Sequence, residues 1–363
     1  MPAEAFAQSP AVAPAPVCLL VNPAAGGGRG RRAAPGVQRR LGELGLRVRR
    51  EDTRDLEHAR ALARGAAQAG ETVVVLSGDG MIGAVADELR SLPGALLGVL
   101  PGGRGNDLVR VLGISQDPVR ACATIADGLP RAIDIGEVNG RAFVGIASVG
   151  FDSDANRIAN EAPSWLGNFV YAYGALRALL TWRVAHFQVE LIRPDSPRDG
   201  QAVDQPGERR SFAGYTVGAC NSKTYGGGMR AAPDALLDDG LLDVVVLENV
   251  SKLRFLTRIL PKAFSGAHVH EPSVRMVRAR EVTIAADRPF TMYADGDPIG
   301  ELPVRVRALA GAVTILTPAF PPVDSPFAGP DPAAGSTSPP IPAGSPSPAA
   351  TPAPAAGEST IRG

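Results

Sequence analysis

Two glycine-rich turns, Ser77-Gly78-Asp79-Gly80-Met81 and Pro101-Gly102-Gly103-Arg104-Gly105-Asn106-Asp107, decide how this chain reads. Each follows a short apolar run, Thr72 to Leu76 and Leu96 to Leu100. Each leads into a helical pattern, Ile82 to Leu89 and Leu108 to Leu112. Strand, glycine turn and helix, in that order, are how an open parallel sheet builds an anion site. The glycines let the backbone come close, and amide N–H groups at the helix start face the charge. Two such turns, one βα unit apart, predict neighbouring strand ends lining one crevice.

The acids inside these turns refine the reading. Asp79 sits between two glycines, and Asp107 follows Asn106 at a helix start. The Walker spacing G-x-x-x-x-G-K-[ST] is absent. A carboxylate in a phosphate loop repels phosphate unless a cation or a substrate hydroxyl lies between them. The pattern therefore points to a nucleotide, a divalent metal and phosphoryl transfer. The plainer alternative makes Asp79 an ordinary turn acid and Asn106 or Asp107 a helix N-cap. Two turns of the same kind favour the functional reading.

Composition sets the frame. A chain of 363 residues with 45% hydrophobic residues can hold two domains with substantial cores. Lys plus Arg and Asp plus Glu both number 37, so the whole molecule has no nucleic-acid-like footprint. Cys18, Cys122 and Cys220 lack metal-ligand spacing and read as buried apolar residues in a reducing compartment. No apolar run approaches the roughly 20 residues that span a bilayer, and Met1 to Pro16 has no basic start. The expectation is a cytoplasmic protein.

Along the chain, residues 1–16 read as disordered. Strand Val17 to Val21 runs into a third glycine turn, Asn22-Pro23-Ala24-Ala25-Gly26-Gly27-Gly28-Arg29-Gly30. Its backbone can meet a phosphate, and an arginine can pair with one. Helices near Val37 to Leu44 and Leu56 to Ala69 bracket a strand over Leu46 to Arg50, which leads to Thr53. Strands alternating with helices predict a doubly wound α/β domain over 17–135. Beyond it, residues 136–317 carry β-patterned runs at Arg141 to Ser148, Phe187 to Ile192, Gly214 to Ala219, Leu242 to Leu247, Val282 to Ala285, Val304 to Leu309 and Val313 to Leu316. They predict a mainly antiparallel second domain, whose last strand can return to the first. Pro194 to Arg209 reads as an exposed hairpin loop. Trp165, Phe169, Tyr173, Leu176 and Leu180 form an apolar helical stripe, read first as packing on the sheet and second as a lipid-facing surface. His268 and His270 would share one face of a strand. Residues 318–363, rich in Pro, Ala and Ser, read as a disordered tail.

Taken in order, Asn22-Pro23, Ser77-Gly78-Asp79-Gly80 and Leu100-Pro101-Gly102-Gly103-Arg104-Gly105-Asn106-Asp107 resemble the diacylglycerol kinase catalytic domain family. The resemblance continues through Gly150-Phe151-Asp152, Tyr225-Gly226-Gly227-Gly228-Met229, Asp239-Gly240-Leu241-Leu242-Asp243 and Asp295-Gly296-Asp297, and covers about Val17 to Pro318. It implies an NAD kinase- and phosphofructokinase-like first domain followed by a β-sandwich.

The resemblance also implies an ATP-dependent lipid kinase, with diacylglycerol as acceptor. The rivals are a sphingoid base, ceramide or phosphatidylglycerol as acceptor, an NAD kinase, and a nucleotide- or lipid-binding protein without turnover. ATP contacts are implied at Asn22, Pro23, Ala24, Ala25, Gly26, Thr53, Ser77, Gly78, Asp79, Gly80, Met81, Ile82, Gly83, Arg104, Gly105 and Asn106. Asp79 is implied to act through Mg2+ at the phosphates, Asp297 as the base and Asp295 as its partner. A structural Mg2+ is implied at the Asp239 carboxylate and the carbonyls of Leu236 and Leu241. The chain departs from the family pattern at Met81 for Thr, Gly83 for Asn, Arg104 for Thr and Asp297 for Glu. Peripheral membrane contact would use an apolar helix or the basic residues Arg29 to Arg32 and Arg47 to Arg50. Homodimerisation is left open.

Overall fold

A computed structural model describes residues 15–162, 170–193, 207–320 and 324–328. The disorder expected over most of 1–16, the residues Trp165 and Phe169, most of the loop expected over Pro194–Arg209 and the tail beyond 328 lie outside these residues. The first half runs β1 (Val17–Val21), α1 (Ala25–Glu43), β2 (Val48–Asp52), α2 (Leu56–Gln68), β3 (Thr72–Ser77), α3 (Asp79–Leu89), β4 (Leu96–Pro101), α4 (Asp107–Val111) and α5 (Pro118–Asp127). Every residue of β1 and β3 is buried. That is why both read as unbroken apolar runs: helices cover the two faces of a parallel sheet.

β1 pairs in parallel with β2 on one side and β3 on the other, and β3 pairs with β4. The chain order therefore reverses at β1/β3, the place where open α/β sheets leave a crevice beyond their strand ends. Register aligns Val21 with Leu76, and Ser77 with Pro101. The three glycine turns thus leave the sheet side by side. Helix α5 was not anticipated, although its signal is plain: the Asp117 carboxylate caps the Val119 and Arg120 amides, and Pro118 fills the first turn.

The second half contains β5 (Leu129–Val138), β6 (Arg141–Phe143), β7 (Ile146–Gly150), α6 (Phe151–Glu161), α7 (Val170–Thr181), β8 (Ala185–Ile192), β9 (Glu208–Cys220), β10 (Leu242–Glu248), β11 (Val274–Ala279), β12 (Glu281–Ala286), β13 (Thr291–Ala294), β14 (Asp297–Glu301) and β15 (Val304–Thr317). Apart from the contact of β15 with β4, its pairings are antiparallel. The two runs expected at 304–309 and 313–316 are one strand with a register shift between Leu309 and Val313. Its start pairs with β12 and its end, at Thr314 and Ile315, with β4. One continuous sheet thereby links two apolar clusters, one in each half. The run expected over 141–148 is instead broken into β6 and β7.

Several expectations are corrected. Among the described residues of α7, Gly174, Ala178 and Leu179 are buried, with Trp182 just beyond, whereas Leu176 and Leu180 of the expected stripe are 54% and 70% exposed. His268 is buried and His270 exposed, on opposite sides of a 3₁₀ turn over Ala267–His270. β9 begins at Glu208, inside the segment read as a loop. Residues 324–328, read as tail, pack down. Phe327 is buried under the Arg131 guanidinium, 4.7 Å from its ring, and Leu237 N–H donates to the Pro326 carbonyl at 2.7 Å. The buried ammonium of Lys223 donates to Asp324 Oδ1 at 2.8 Å and to the Ser325 carbonyl at 3.0 Å.

Ending the chain after Phe320 would strip Lys223 of these acceptors. Urea denaturation should show a loss of about 1–3 kcal/mol. An unchanged unfolding midpoint would show that the segment is a passive tail.

Candidate active site

Three backbone loops make the floor of a cleft of about 950 Å³. Gly26, Gly27 and Gly28 take consecutive left-handed φ values of 57°, 67° and 84°. Glycine permits this left-handed run, in which the Gly28 amide donates to the Ala24 carbonyl at 3.3 Å, and it lets the backbone face the cleft without side chains. Close packing of the loops also requires glycine. A Cβ on Gly26 would lie 2.7 Å from the Gly102 carbonyl oxygen, and one on Gly103 would lie 2.5 Å from Gly78 Cα. Gly102 and Gly103 both donate to the Ser77 carbonyl, at 2.8 and 3.1 Å. Buried Asn106, at φ 50°, staples the second loop: its Oδ1 accepts from Gly103 N–H at 2.7 Å and its Nδ2 donates to Gly103 O at 3.1 Å.

Four acids converge here in different states. Asp79 Oδ2 and Oδ1 accept from the amides of Asp107 and Leu108, both at 3.0 Å. Asp79 thus caps α4 from across the crevice, the task the sequence suggested for Asn106 or Asp107, and still lines the cleft. Asp107 reaches the other way. Its Oδ2 accepts from Gly227 N–H at 2.9 Å, and its Oδ1 is buried without a partner. Burial pushes its carboxyl up against the pull of that amide.

Asp295 is held tightest. It stands at φ 51°, and its carboxylate accepts from Val144 N–H at 2.8 Å, Gly145 N–H at 2.9 Å and Ile146 N–H at 3.2 Å. These bonds explain the break between β6 and β7, where the amides serve a side chain rather than a strand. Burial pushes Asp295 up to about 7, opposed by the amide bonds and reinforced by the Asp79 charge. Gly83 makes room for it: a Cβ there would sit 3.2 Å from Asp295 Oδ2.

Asp297 is the exposed member, and among the described residues nothing hydrogen-bonds its carboxylate. Its Oδ2 lies 2.6 Å from where a Cβ on Gly80 would be, at the start of α3. Burial raises its pKa and the Arg141 charge lowers it, with a net rise. Of the four, Asp297 has the geometry to accept a proton from a bound hydroxyl.

Most nucleotide contacts expected from the resemblance line this cleft, from Asn22 and Gly26 through Ser77 to Met81, Arg104 and Gly105. Pro23, Thr53, Ile82, Gly83 and Asn106 do not line it. Buried Thr53 donates its hydroxyl to the Val21 carbonyl at 3.2 Å, and Ile82 is core. Arg29, one of the arginines the sequence offered to a phosphate, lines the cleft; sequence reasoning missed Tyr225 and Gly226 as cleft residues and missed the Asp107–Gly227 link. The glycine run at 226–228 was the available signal, since all three residues have positive φ.

Leu236, Asp239 and Leu241 lie apart from the cleft lining. Asp239 Oδ1 accepts from Leu241 N–H at 3.0 Å, while its Oδ2 is buried without a hydrogen-bond partner. The Arg278 guanidinium is 3.7 Å away. A carboxylate oxygen that accepts no hydrogen bond is a donor suited to a hard cation, but here the Arg278 guanidinium faces that same oxygen and competes for it.

Comparison with known proteins places this geometry in a class. Residues 16–138 match the model of the diacylglycerol kinase catalytic domain, and residues 145–317 match the YegS C-terminal NAD kinase beta sandwich-like domain. A protein named diacylglycerol kinase from Mycobacterium tuberculosis is 32% identical over 314 residues, covering 83% of this chain and 95% of that one. "Probable lipid kinase YegS-like" from Pseudomonas aeruginosa is 30% identical over 311 residues, covering 85% and 96%. A crystal structure of a diacylglycerol kinase from Bacillus anthracis shares the fold, with TM-score 0.62 at 20% identity over 84% of this chain and 97% of that one. The chain is a lipid kinase. The chain belongs to the diacylglycerol kinase catalytic domain family.

The two hairpin acids should separate on stability. Asp295→Asn leaves at least one of three amides without an acceptor and should lose about 1–3 kcal/mol. Asp297→Asn breaks no bond and should stay within about 0.5 kcal/mol of the parent. Equal effects in urea denaturation would refute the assignment of Asp295 as the anchored acid.

Proposed function

We propose that this lipid kinase transfers the γ-phosphate of ATP to the hydroxyl of diacylglycerol, giving phosphatidic acid. The observation that carries this reading is the unbonded Asp297 carboxylate, set over Gly80 beside three glycine loops. The nucleotide phosphates lie against the Gly26–Gly28 turn and the N-terminus of α3, with Arg29 and Arg104 available to pair with their charge. In this arrangement Arg104 supplies a charge where the family pattern has a hydroxyl. The division of labour follows the chain, with residues 17–135 binding the nucleotide and 136–317 the lipid.

Asp297 takes the proton of the acceptor hydroxyl as its oxygen forms a bond to the γ-phosphorus. The bond from that phosphorus to the β,γ-bridging oxygen breaks, and ADP leaves. Asp295 does not share the proton. It holds the hairpin that carries Asp297. Mg2+, when bound, neutralises phosphate charge, and Asp79 is the residue placed to hold it in the cleft. A second, structural Mg2+ would use Asp239 Oδ2, in place of its Arg278 partner, with the carbonyls of Leu236 and Leu241.

Membrane contact falls to segment 252–264. Leu253, Leu256 and Phe264 are 71%, 44% and 58% exposed and are interleaved with Lys252, Arg254, Arg258 and Lys262. Lys252 Nζ donates to the Leu180 carbonyl at 2.9 Å, which joins this segment to the exposed leucines of α7. Apolar residues flanked by cations suit an anionic lipid surface. Basic residues are ion-paired in both candidate clusters, Arg254 and Lys262 with Glu271, Arg49 with Glu51 and Glu71, and Arg50 with Asp52, so the exposed apolar side chains are what favour segment 252–264.

With labelled ATP and a panel of lipids in mixed micelles, the label should appear in phosphatidic acid and fall at least about 10²-fold in Asp297→Asn. Label in another lipid would keep the mechanism and correct the acceptor. ATP binding without any labelled lipid would end the reading. The base must be ionised to act, so kcat/KM should fall as pH drops through the raised pKa of Asp297. The acid limb should lie above the ordinary aspartate range near 3.9. A flat profile down to that range would argue against Asp297 as the base.

A further inference from the structure

A hairpin from Lys223 to Ala232 carries the Gly226–Gly228 turn into the catalytic cleft, where Tyr225, Gly226 and Gly227 form part of the wall. The three glycines take φ values of 63°, 86° and 113°. Glycines lose more conformational freedom than other residues when they are fixed, so such a tip holds its shape only if it is tied. Within the hairpin, Tyr225 N–H donates to the Met229 carbonyl at 2.9 Å and Met229 N–H donates back at 3.0 Å. At the base, Ala232 N–H donates to the Lys223 carbonyl at 3.3 Å. At the tip, Gly227 N–H donates to Asp107 Oδ2 at 2.9 Å and so joins the hairpin to the first half.

A further tie comes from residues 324–328, beyond the stretch matched by the family models, which ends at 317. The Asp324 carboxylate grips both arms of the hairpin. Its Oδ1 accepts from Lys223 Nζ at 2.8 Å, and its Oδ2 accepts from the Arg230 guanidinium. Asp324 is 56% exposed, and an ion pair between exposed partners is worth little. Lys223 is different: its side chain is 8% exposed, and among the described residues every acceptor of its ammonium belongs to Asp324 or Ser325. A buried ammonium without acceptors is unfavourable, so loss of this segment drives Lys223 toward water. Thr224 and Tyr225, the next two residues, line the cleft and move with it. The far end of the segment is anchored away from the cleft. Phe327 is buried with Leu237 in the apolar cluster of the first half, and Ala328 N–H donates to Asp238 Oδ1 at 2.7 Å.

We propose that residues 324–328 are a strap that completes the nucleotide site, with Asp324 as the positioning residue that holds the Lys223–Ala232 hairpin where Gly227 meets Asp107. The path is contiguous. Asp324 holds the hairpin arms, Gly227 holds Asp107, and the Asp107 amide donates to Asp79 in the loop proposed to meet the phosphates. This deepens the reading of the cleft as an ATP site and rests on it. Coupling of this kind is reciprocal: the docked strap favours nucleotide, and bound nucleotide favours the docked strap.

The test uses full-length variants at opposite ends of the strap, measured where circular dichroism shows the parent's fold. Asp324→Ala removes the grip on the hairpin. Phe327→Ala frees the far end without touching the cleft lining. Hydrogen exchange reads the hairpin without any reaction: the amides of Tyr225, Gly227 and Met229 should exchange at least about fivefold faster in both variants, with α2 unchanged. The Kd of a non-hydrolysable ATP analogue with Mg2+, and the KM for ATP, should rise by at least about fivefold, while kcat at saturating ATP changes less. In the parent, the analogue should slow exchange of the Leu237 and Ala328 amides, which bond to and from the strap. If Phe327→Ala does not fold, Asp324→Ala, at an exposed position, decides alone. Unchanged hairpin exchange, or faster exchange with an unchanged Kd, would overturn the proposal. Failure of the kinase reading looks different: no lipid is labelled, while both variants still loosen the hairpin and weaken the analogue.

Discussion

The Asp295 carboxylate accepts hydrogen bonds from three consecutive amides, those of Val144, Gly145 and Ile146. Taking a carboxylate out of water is unfavourable unless such donors replace its hydration. Here they also set geometry. The amides lie at the junction of β6 and β7, and the acid begins the tight turn between β13 and β14. The bonds fix that turn against the β6–β7 junction, where it meets the first half at α3, with Gly83 leaving space for the carboxylate and Gly80 facing Asp297. Two residues along, Asp297 is left without a partner over the N-terminus of α3. One bound acid thus positions one free acid.

The same economy governs the phosphate crevice. Asp79 ties the start of α4 to the start of α3, and Asp107 ties α4 to the Gly226–Gly228 turn of the second half. These contacts cross the cleft floor and hold its loops at backbone separations that only glycine tolerates. Amide dipoles and arginines then face the open space. The acids that look catalytic in the sequence divide into three whose carboxylates accept backbone hydrogen bonds and one, Asp297, whose carboxylate accepts none among the described residues. Burial raises the pKa of Asp107, Asp295 and Asp297 alike, so hydrogen bonding distinguishes their roles better than titration does.

Much of this was legible in the chain. Apolar runs bounded by glycine located β1, β3 and β4 to within a residue, because a parallel strand buried on both faces has no polar positions to blur its pattern. The glycine turns marked the cleft because close backbone approach leaves few other residues. What the sequence hid depends on distant partners. The donors to Asp295 lie about 150 residues earlier in the chain, and nothing local shows that its carboxylate is occupied. Periodicity proposed an apolar stripe on α7 but could not say which side meets the core. Ala178, Leu179 and Trp182 go inward, and the larger stripe leucines stay outside. Residues 324–328 carry the composition of a linker, yet Phe327 and the Lys223–Asp324 pair hold them down.

A crystal structure with a non-hydrolysable ATP analogue and Mg2+ tests this reading most directly. The phosphates should occupy the space between the Gly26–Gly28 turn, the start of α3 and the Gly103–Gly105 loop. The Asp295 bonds to 144–146 should be intact and the Asp297 carboxylate should face the terminal phosphate. A nucleotide bound elsewhere, or an Asp297 carboxylate sequestered by protein donors when the site is filled, would contradict it.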